Sequence, residues 1–203
     1  MTHILESPYL YQAFQALGGF YGARIKAFDS YLDVSNVKRI FDIGCGPGHF
    51  IRHIPDSAEY VGFDVDPRYI EFANRHFGER GKFVVRLFDR SATDDYGQPD
   101  LILMNGVLHH LDEKSARTVI QDSAAILPQH GVFFALDACH RIGQHPISRY
   151  LIDNDRGTFV RDEQGYRDLA KSAFPEVDVF VREDLSWVPY TFAITRATKV
   201  AKP

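Results

Sequence analysis

Asp42 stands inside an apolar run and is followed at once by three glycines in five positions. The stretch 40–50 reads IFDIGCGPGHF. A glycine-rich turn between a strand and a helix start lets a ligand approach the backbone closely, and two phosphate-binding patterns use such a turn. The dinucleotide fingerprint G-x-G-x-x-G needs a glycine three positions after the second one. Here that position is His49, and the glycine comes early, at Gly48. A phosphate-cradling G-x-x-x-x-G-K-[ST] needs a Lys-Ser or Lys-Thr, and none follows. Neither a pyrophosphate nor a triphosphate is the natural guest.

The run fits the pattern D-x-G-x-G-x-G. On it the chain resembles the class I S-adenosylmethionine-dependent methyltransferases, over nearly all of residues 37–198. The resemblance assigns Asp42, Gly44, Cys45, Gly46 and Gly48 to the donor's methionyl end. A carboxylate beneath the loop complements a sulfonium and an ammonium and repels phosphate. It makes Asp64, closing the run YVGFD, the ribose ligand, because an acceptor-only carboxylate takes both hydroxyls of a diol. Val65 would lie against the adenine ring. Asp66 is a rival acid, although Pro67 places it at a helix start as an N-cap. In RLFDRS, Asp89 matches the acid that receives the adenine amino group, with Phe88 as packing neighbour; Asp89 could instead pair with Arg86 or Arg90. In MNGVLHHLDE, Asn105 and Gly106 would set main-chain groups beside the methionyl end. The residues 105–108, NGVL, lack the [DN]-P-P-[YFW] run of nucleobase amine methyltransferases.

Proton transfer from an acceptor would fall to a histidine, since imidazole titrates near neutrality. His109 and His140 are the candidates, with His110 behind them; the HH pair also suits plain packing at a strand end. The acceptor must approach above the glycine loop, from segments carrying Tyr11, Phe14, Tyr21 and Arg24, then Asp137 and His140, then Arg156. Arg156 and Arg161 flank Phe159 and could bind an anionic group, or pair with Asp153, Asp155, Asp162 or Glu163. Asp137, Cys139, His140 and His145 lack the spacing of a zinc site, so no metal is expected.

These residues need a frame that brings strand ends together. The chain has 203 residues, 45% of them hydrophobic, enough for one domain with a substantial core. A net charge of −4 without a long basic run argues against nucleic-acid binding. Two cysteines do not make a disulfide framework. Neither a leader pattern nor a membrane span is read in the sequence, so a cytoplasmic location is the expectation.

Apolar spacing predicts helix over 8–32, broken into two pieces at LGGFYG. Strands are expected at 38–43, 60–64, 82–88, 101–104 and 131–136, and helices at 48–54, 67–77 and 112–127. Alternation of this kind with apolar strands indicates a parallel sheet covered on both faces. In the tail, helices at 147–153 and 163–174 precede strands at 177–182 and 188–195, which must pair antiparallel. With the resemblance this implies an α/β, Rossmann-like seven-stranded sheet of order 3-2-1-4-5-7-6, its seventh strand antiparallel. Residues 1–34 would form a helical lid or simply pack on the sheet edge. Residues 35–137 would form the cofactor core and 138–203 the substrate side. The implied reaction is methyl transfer from S-adenosylmethionine to a small molecule, at oxygen before nitrogen or carbon. The alternatives are another displacement on the sulfonium, such as cyclisation of the donor, or an idle cofactor-binding subunit acting through a partner.

Overall fold

In the computed structural model the residues described are 19–155 and 157–200. Tyr11, Phe14 and Arg156 lie outside them. Helix α1, Phe20–Tyr31, starts after Gly19, whose φ of 73° cannot continue a helix backwards. The described helix starts within LGGFYG, after Gly19, and Gly22 sits inside it; the expected first helical piece lies outside the described residues.

The core alternates strictly. Strand β1 (Arg39–Ile43), a 3₁₀ turn (His49–His53), β2 (Glu59–Asp64), α2 (Pro67–Phe77), β3 (Lys82–Val85), α3 (Ala92–Tyr96) and β4 (Leu101–Asn105) follow in order. Next come a second 3₁₀ turn (Leu108–His110), α4 (Glu113–Ile126), β5 (Val132–His140), α5 (Pro146–Asp153), β6 (Arg161–Asp162), α6 (Glu163–Lys171), β7 (Glu176–Arg182) and β8 (Phe192–Thr198). The main sheet has the order β3-β2-β1-β4-β5-β8-β7, with β6 added beside the end of β5. Strand β8 runs antiparallel to both β5 and β7, and the other pairs of the main sheet are parallel. Apart from β6, this is the expected order.

Side chains alternate between the two faces of a strand. On one face Phe41, Ile102, Met104 and Phe133 pack with α4 and α6 residues such as Ile120 and Leu169. On the other, Ile40, Tyr60, Leu103 and Phe134 pack with Phe28 of α1 and Ile70 of α2. Asp42 points to the second face, in register with Ile40, so a carboxylate enters an otherwise apolar layer.

Several boundaries differ from expectation, two because of a partner strand and one because of a proline. Strand β3 ends at Val85, short of 88, since its neighbour β2 stops opposite it at Asp64. Strand β5 runs on to His140 because Phe192 pairs with Ala138, and Arg161 and Asp162 of β6 pair with Cys139 and His140. Strand β8 begins at Phe192, after Pro189, which has no N–H for a ladder. Helix α3 and strand β6 were not expected. Asp66 and Asp112 do cap α2 and α4, accepting from the N–H groups of Arg68 and Ser115.

Candidate active site

The carboxyl ends of β1, β2, β4 and β5 open on one cavity of about 1050 Å³. The glycine loop forms its floor on one side. Gly44 and Cys45 do not offer their amides to a ligand, because both N–H groups donate to Phe63 O, at 2.8 and 3.1 Å. Gly46 reaches further and donates its N–H to Asp64 Oδ2 at 2.8 Å. Asp64 Oδ1 accepts from Asp66 N at 2.9 Å. The carboxylate is thus fixed in orientation, with lone pairs to spare at the cavity edge. Burial raises its pKa, opposed by the backbone N–H groups it accepts.

Asp42 is 2% exposed. Tyr60 donates its hydroxyl to Oδ2 at 2.5 Å, while Oδ1 has no hydrogen-bond partner among the described residues. Burial lifts the Asp42 pKa to about 7; the Tyr60 hydrogen bond and the nearby Arg24 charge oppose that rise, and the Asp64 charge adds to it. Asn105, at the end of β4, has both side-chain polar atoms buried and unpartnered among the described residues. A buried carboxylate with an open oxygen beside an open amide is costly without a ligand. Together they fit the ammonium and carboxylate of an amino-acid group. Val65, 64% exposed at the rim, and buried Phe88 offer apolar surface to a base.

The same cavity is lined by His109, on the second 3₁₀ turn and close to Gly106. Asp137 Oδ1 accepts from its backbone N–H at 3.2 Å and bonds to ring Nδ1 at 2.8 Å. With Asp137 as a carboxylate, Nδ1 carries the proton and Nε2 is left with its lone pair. Nε2 lies 3.7 Å from Asp155 Oδ2. Tyr190 donates its hydroxyl to the same Asp155 oxygen at 3.3 Å. Phe20, Tyr190 and Phe192 pack edge to face and tilted, with centroids 4.8 to 6.3 Å apart, as an aromatic wall of the cavity.

Of the residues singled out in the sequence, Asp42, Gly44, Cys45, Gly46, Asp64 and Val65 line this cavity. So do Phe88, Asn105, Gly106, His109, Asp137, Tyr21 and Arg24. Three described candidates lie off it. A Cβ on Gly48 would meet Phe83 at 2.6 Å and Ala73 at 2.9 Å, so this glycine seats the loop on β3 and α2. Asp89 turns outward, accepting from Ser91 N at 2.8 Å and from Arg86 at 2.9 Å, the pairing left open by the sequence. His140 is carried past the cavity by the extra length of β5, its Nε2 3.9 Å from Asp153. Tyr21 lines the cavity but donates its hydroxyl to His49 O at 2.9 Å.

Sequence reasoning missed Tyr60, Asp155, Tyr190 and the aromatic wall. Tyr60 had a signal: it shares a strand face with Asp64, two alternations away, and so points where Asp42 lies. The others are brought in by loops and carried none.

Comparison with known proteins bears on the fold. Residues 41–133 match a family model described as a methyltransferase domain. O-methyltransferase 16 of Lophophora williamsii is 24% identical over 173 residues, 78% of this chain and 44% of that protein. Human N-acetylserotonin methyltransferase in complex with SAM superposes with a TM-score of 0.71 at 18% identity, over 98% of this chain and 58% of that one. Mitomycin 7-O-methyltransferase MmcR gives 0.69 at 15%, over 95% and 58%. The chain thus spans about half the length of these relatives. Among the described residues no helix is long and apolar enough to cross a membrane. Residues 41–133 thus match a methyltransferase domain, in a sheet that shares its fold with these methyltransferase structures.

Proposed function

We propose that this chain binds S-adenosylmethionine and transfers its methyl group to a hydroxyl of a small-molecule acceptor. The observation that carries the reading is a juxtaposition in one cavity. A buried carboxylate with an open oxygen lies under the glycine loop, and a carboxylate-braced imidazole lines the same cavity. The printed names of the relatives, two of them O-methyltransferases, support oxygen as acceptor atom.

When bound, S-adenosylmethionine supplies an electrophilic methyl group on a sulfonium. The chain's own part is positioning and proton handling. Asp42 and Asn105 hold the charged methionyl end, and Asp64 accepts from the ribose hydroxyls. Val65 and Phe88 cover the base. His109 Nε2 takes the proton of the acceptor hydroxyl, while Asp137 holds Nδ1–H and stabilises the imidazolium that forms. Phe20, Tyr190 and Phe192 wall the acceptor space and keep water from the line of transfer. A walled cavity of this kind suits a small molecule better than a polymer.

The test has two arms. Calorimetry of Asp64→Ala is expected to show donor affinity weakened by about 1.5–3 kcal/mol, the scale of hydrogen bonds to a charged group. Unchanged affinity in a folded variant removes the ribose assignment. Incubation with methyl-labelled S-adenosylmethionine and a small-molecule extract is expected to release S-adenosylhomocysteine and label an extractable product. Accumulation of methylthioadenosine instead would identify cyclisation of the donor.

A further inference from the structure

Arg161 stands close to the cavity in sequence terms, yet its guanidinium is directed elsewhere. Its side chain is only 12% exposed. Nη1 donates to Leu108 O at 2.9 Å and to Phe159 O at 3.1 Å, and Nη2 donates to Leu111 O at 3.0 Å. Glu113 Oε2 lies 3.4 Å from Nη2. The residues bracketed by these bonds are the 3₁₀ turn that carries His109. Leu108 O already accepts from Leu111 N at 3.2 Å, so Arg161 adds a second donor there and also reaches the carbonyl of Leu111, just past the turn. A planar fork of donors is the side chain best able to take two carbonyls at a fixed separation.

The segment leading to Arg161 completes the grip. Phe159 N donates to His109 O at 3.0 Å. Gly157 passes under the ring so closely that a Cβ there would fall 1.9 Å from His109 Cδ2. Arg161 and Asp162 then pair with Cys139 and His140 on β5, the strand whose Asp137 holds His109 from the other side. The turn is thus held between one strand end and a strap anchored to that same strand. Nothing in the backbone of β4 or α4 alone would fix the ring direction.

We propose that Arg161 is a positioning residue. Through the carbonyls of Leu108 and Leu111 it locks the turn so that the His109 ring keeps its bond to Asp137 and presents Nε2 to the acceptor. This rests on the reading of His109 as the proton acceptor, but its test does not need the acceptor's identity.

The experiment is nitrogen-15 and proton spectroscopy of the histidine rings in the full chain, with the His109 signals assigned by their loss in His109→Gln. In Arg161→Met the Nδ1 proton of His109 is expected to exchange at least about tenfold faster, as loss of anchoring hydrogen bonds predicts. Arg161→Lys keeps the charge but reaches one carbonyl rather than two, and is expected to restore the signal in part. Affinity for S-adenosylhomocysteine is expected to stay within about twofold in both variants, since none of the Arg161 hydrogen bonds goes to a residue assigned to the donor. An unchanged Nδ1 exchange rate in folded Arg161→Met overturns the proposal. So does a loss shared equally by Arg161→Lys and accompanied by lost S-adenosylhomocysteine binding, which would mark a general structural role. If the spectroscopic effect appears while His109→Gln still transfers methyl groups, the positioning stands and the base assignment falls.

Discussion

The two ends of the cavity are built in opposite ways. The glycine-loop end takes Asp42, Gly44, Cys45 and Gly46 from one short stretch, and closes it with Asp64 through a single N–H bond from Gly46. The His109 end gathers one turn, the end of β5, the segment between α5 and β6, and the entry to β8. At the first end, Asp42 Oδ1 and both polar atoms of Asn105 lack protein partners among the described residues. At the second, His109 is bonded or approached at both ring nitrogens, and the atom there without a partner among the described residues is Asp137 Oδ2. Only the loop is stamped into one strand–turn unit; Asp64 and Asn105 reach it from the ends of β2 and β4, whereas the acceptor end is assembled mainly from loops that vary independently.

The largest effect that can sharpen this contrast is on turnover. His109→Gln removes the proton acceptor but keeps a polar side chain of similar reach. Turnover is expected to fall about 10²- to 10⁴-fold, the usual range for a general base. Donor affinity measured by calorimetry should be nearly unchanged. A variant that loses donor affinity as well would show that the two ends are one coupled unit.

How much was legible follows from the same contrast. The loop and Asp64 could be singled out because each sits within one strand–turn unit whose pattern is contiguous, and the sheet order followed from strand–helix alternation together with the family resemblance. Gly48 was read as a ligand contact because spacing alone does not say whether a missing side chain makes room for a ligand or for Phe83. Asp89 and His140 were misplaced by element ends. β3 stops early for want of a partner, and β5 runs long because β6 and β8 supply one. Strand ends depend on what lies alongside, and no local window holds that information. Asp155 and Tyr190 meet across 35 positions of sequence, beyond any periodicity.

A second break concerns pH at the donor end. The Asp42 carboxyl has a pKa of about 7 in the folded chain, raised chiefly by burial, against an ordinary value of 3.8. Between these values the unfolded chain gives up a proton that the folded chain keeps. Stability from this group is therefore full below about pH 4 and is lost as pH rises through about 7. The difference corresponds to about 4 kcal/mol. Asp64, also raised by burial, acts in the same sense. Asp42→Asn is expected to flatten much of the decline in urea-unfolding stability between pH 4 and pH 7. A cationic donor favours the ionised acid, so its affinity should rise with pH across neutrality, with proton release. In Asp42→Asn that dependence should disappear and binding should weaken. An affinity that does not vary with pH in the unaltered chain would separate Asp42 from the donor.

The smallest effect divides the loop itself. Gly46 and Gly48 both have positive φ, at 53° and 76°, so alanine at either costs about 1 kcal/mol of backbone strain. Beyond that they part. A Cβ at Gly46 would meet nothing within 4 Å, whereas one at Gly48 would collide with Phe83 and Ala73. Overpacking of that kind adds about 1–3 kcal/mol. Gly48→Ala should thus lower the unfolding free energy by about 2–4 kcal/mol, strain and overpacking together, while the fraction that stays folded binds donor normally. Gly46→Ala should lose only the strain of about 1 kcal/mol in unfolding free energy, yet bind donor less well, because its methyl group projects into the ligand's space. Chemical unfolding and calorimetry on the two variants read both quantities. If both glycines behaved alike, the loop would be a single structural turn; the expected divergence marks Gly46 as the point where the fold gives way to the ligand.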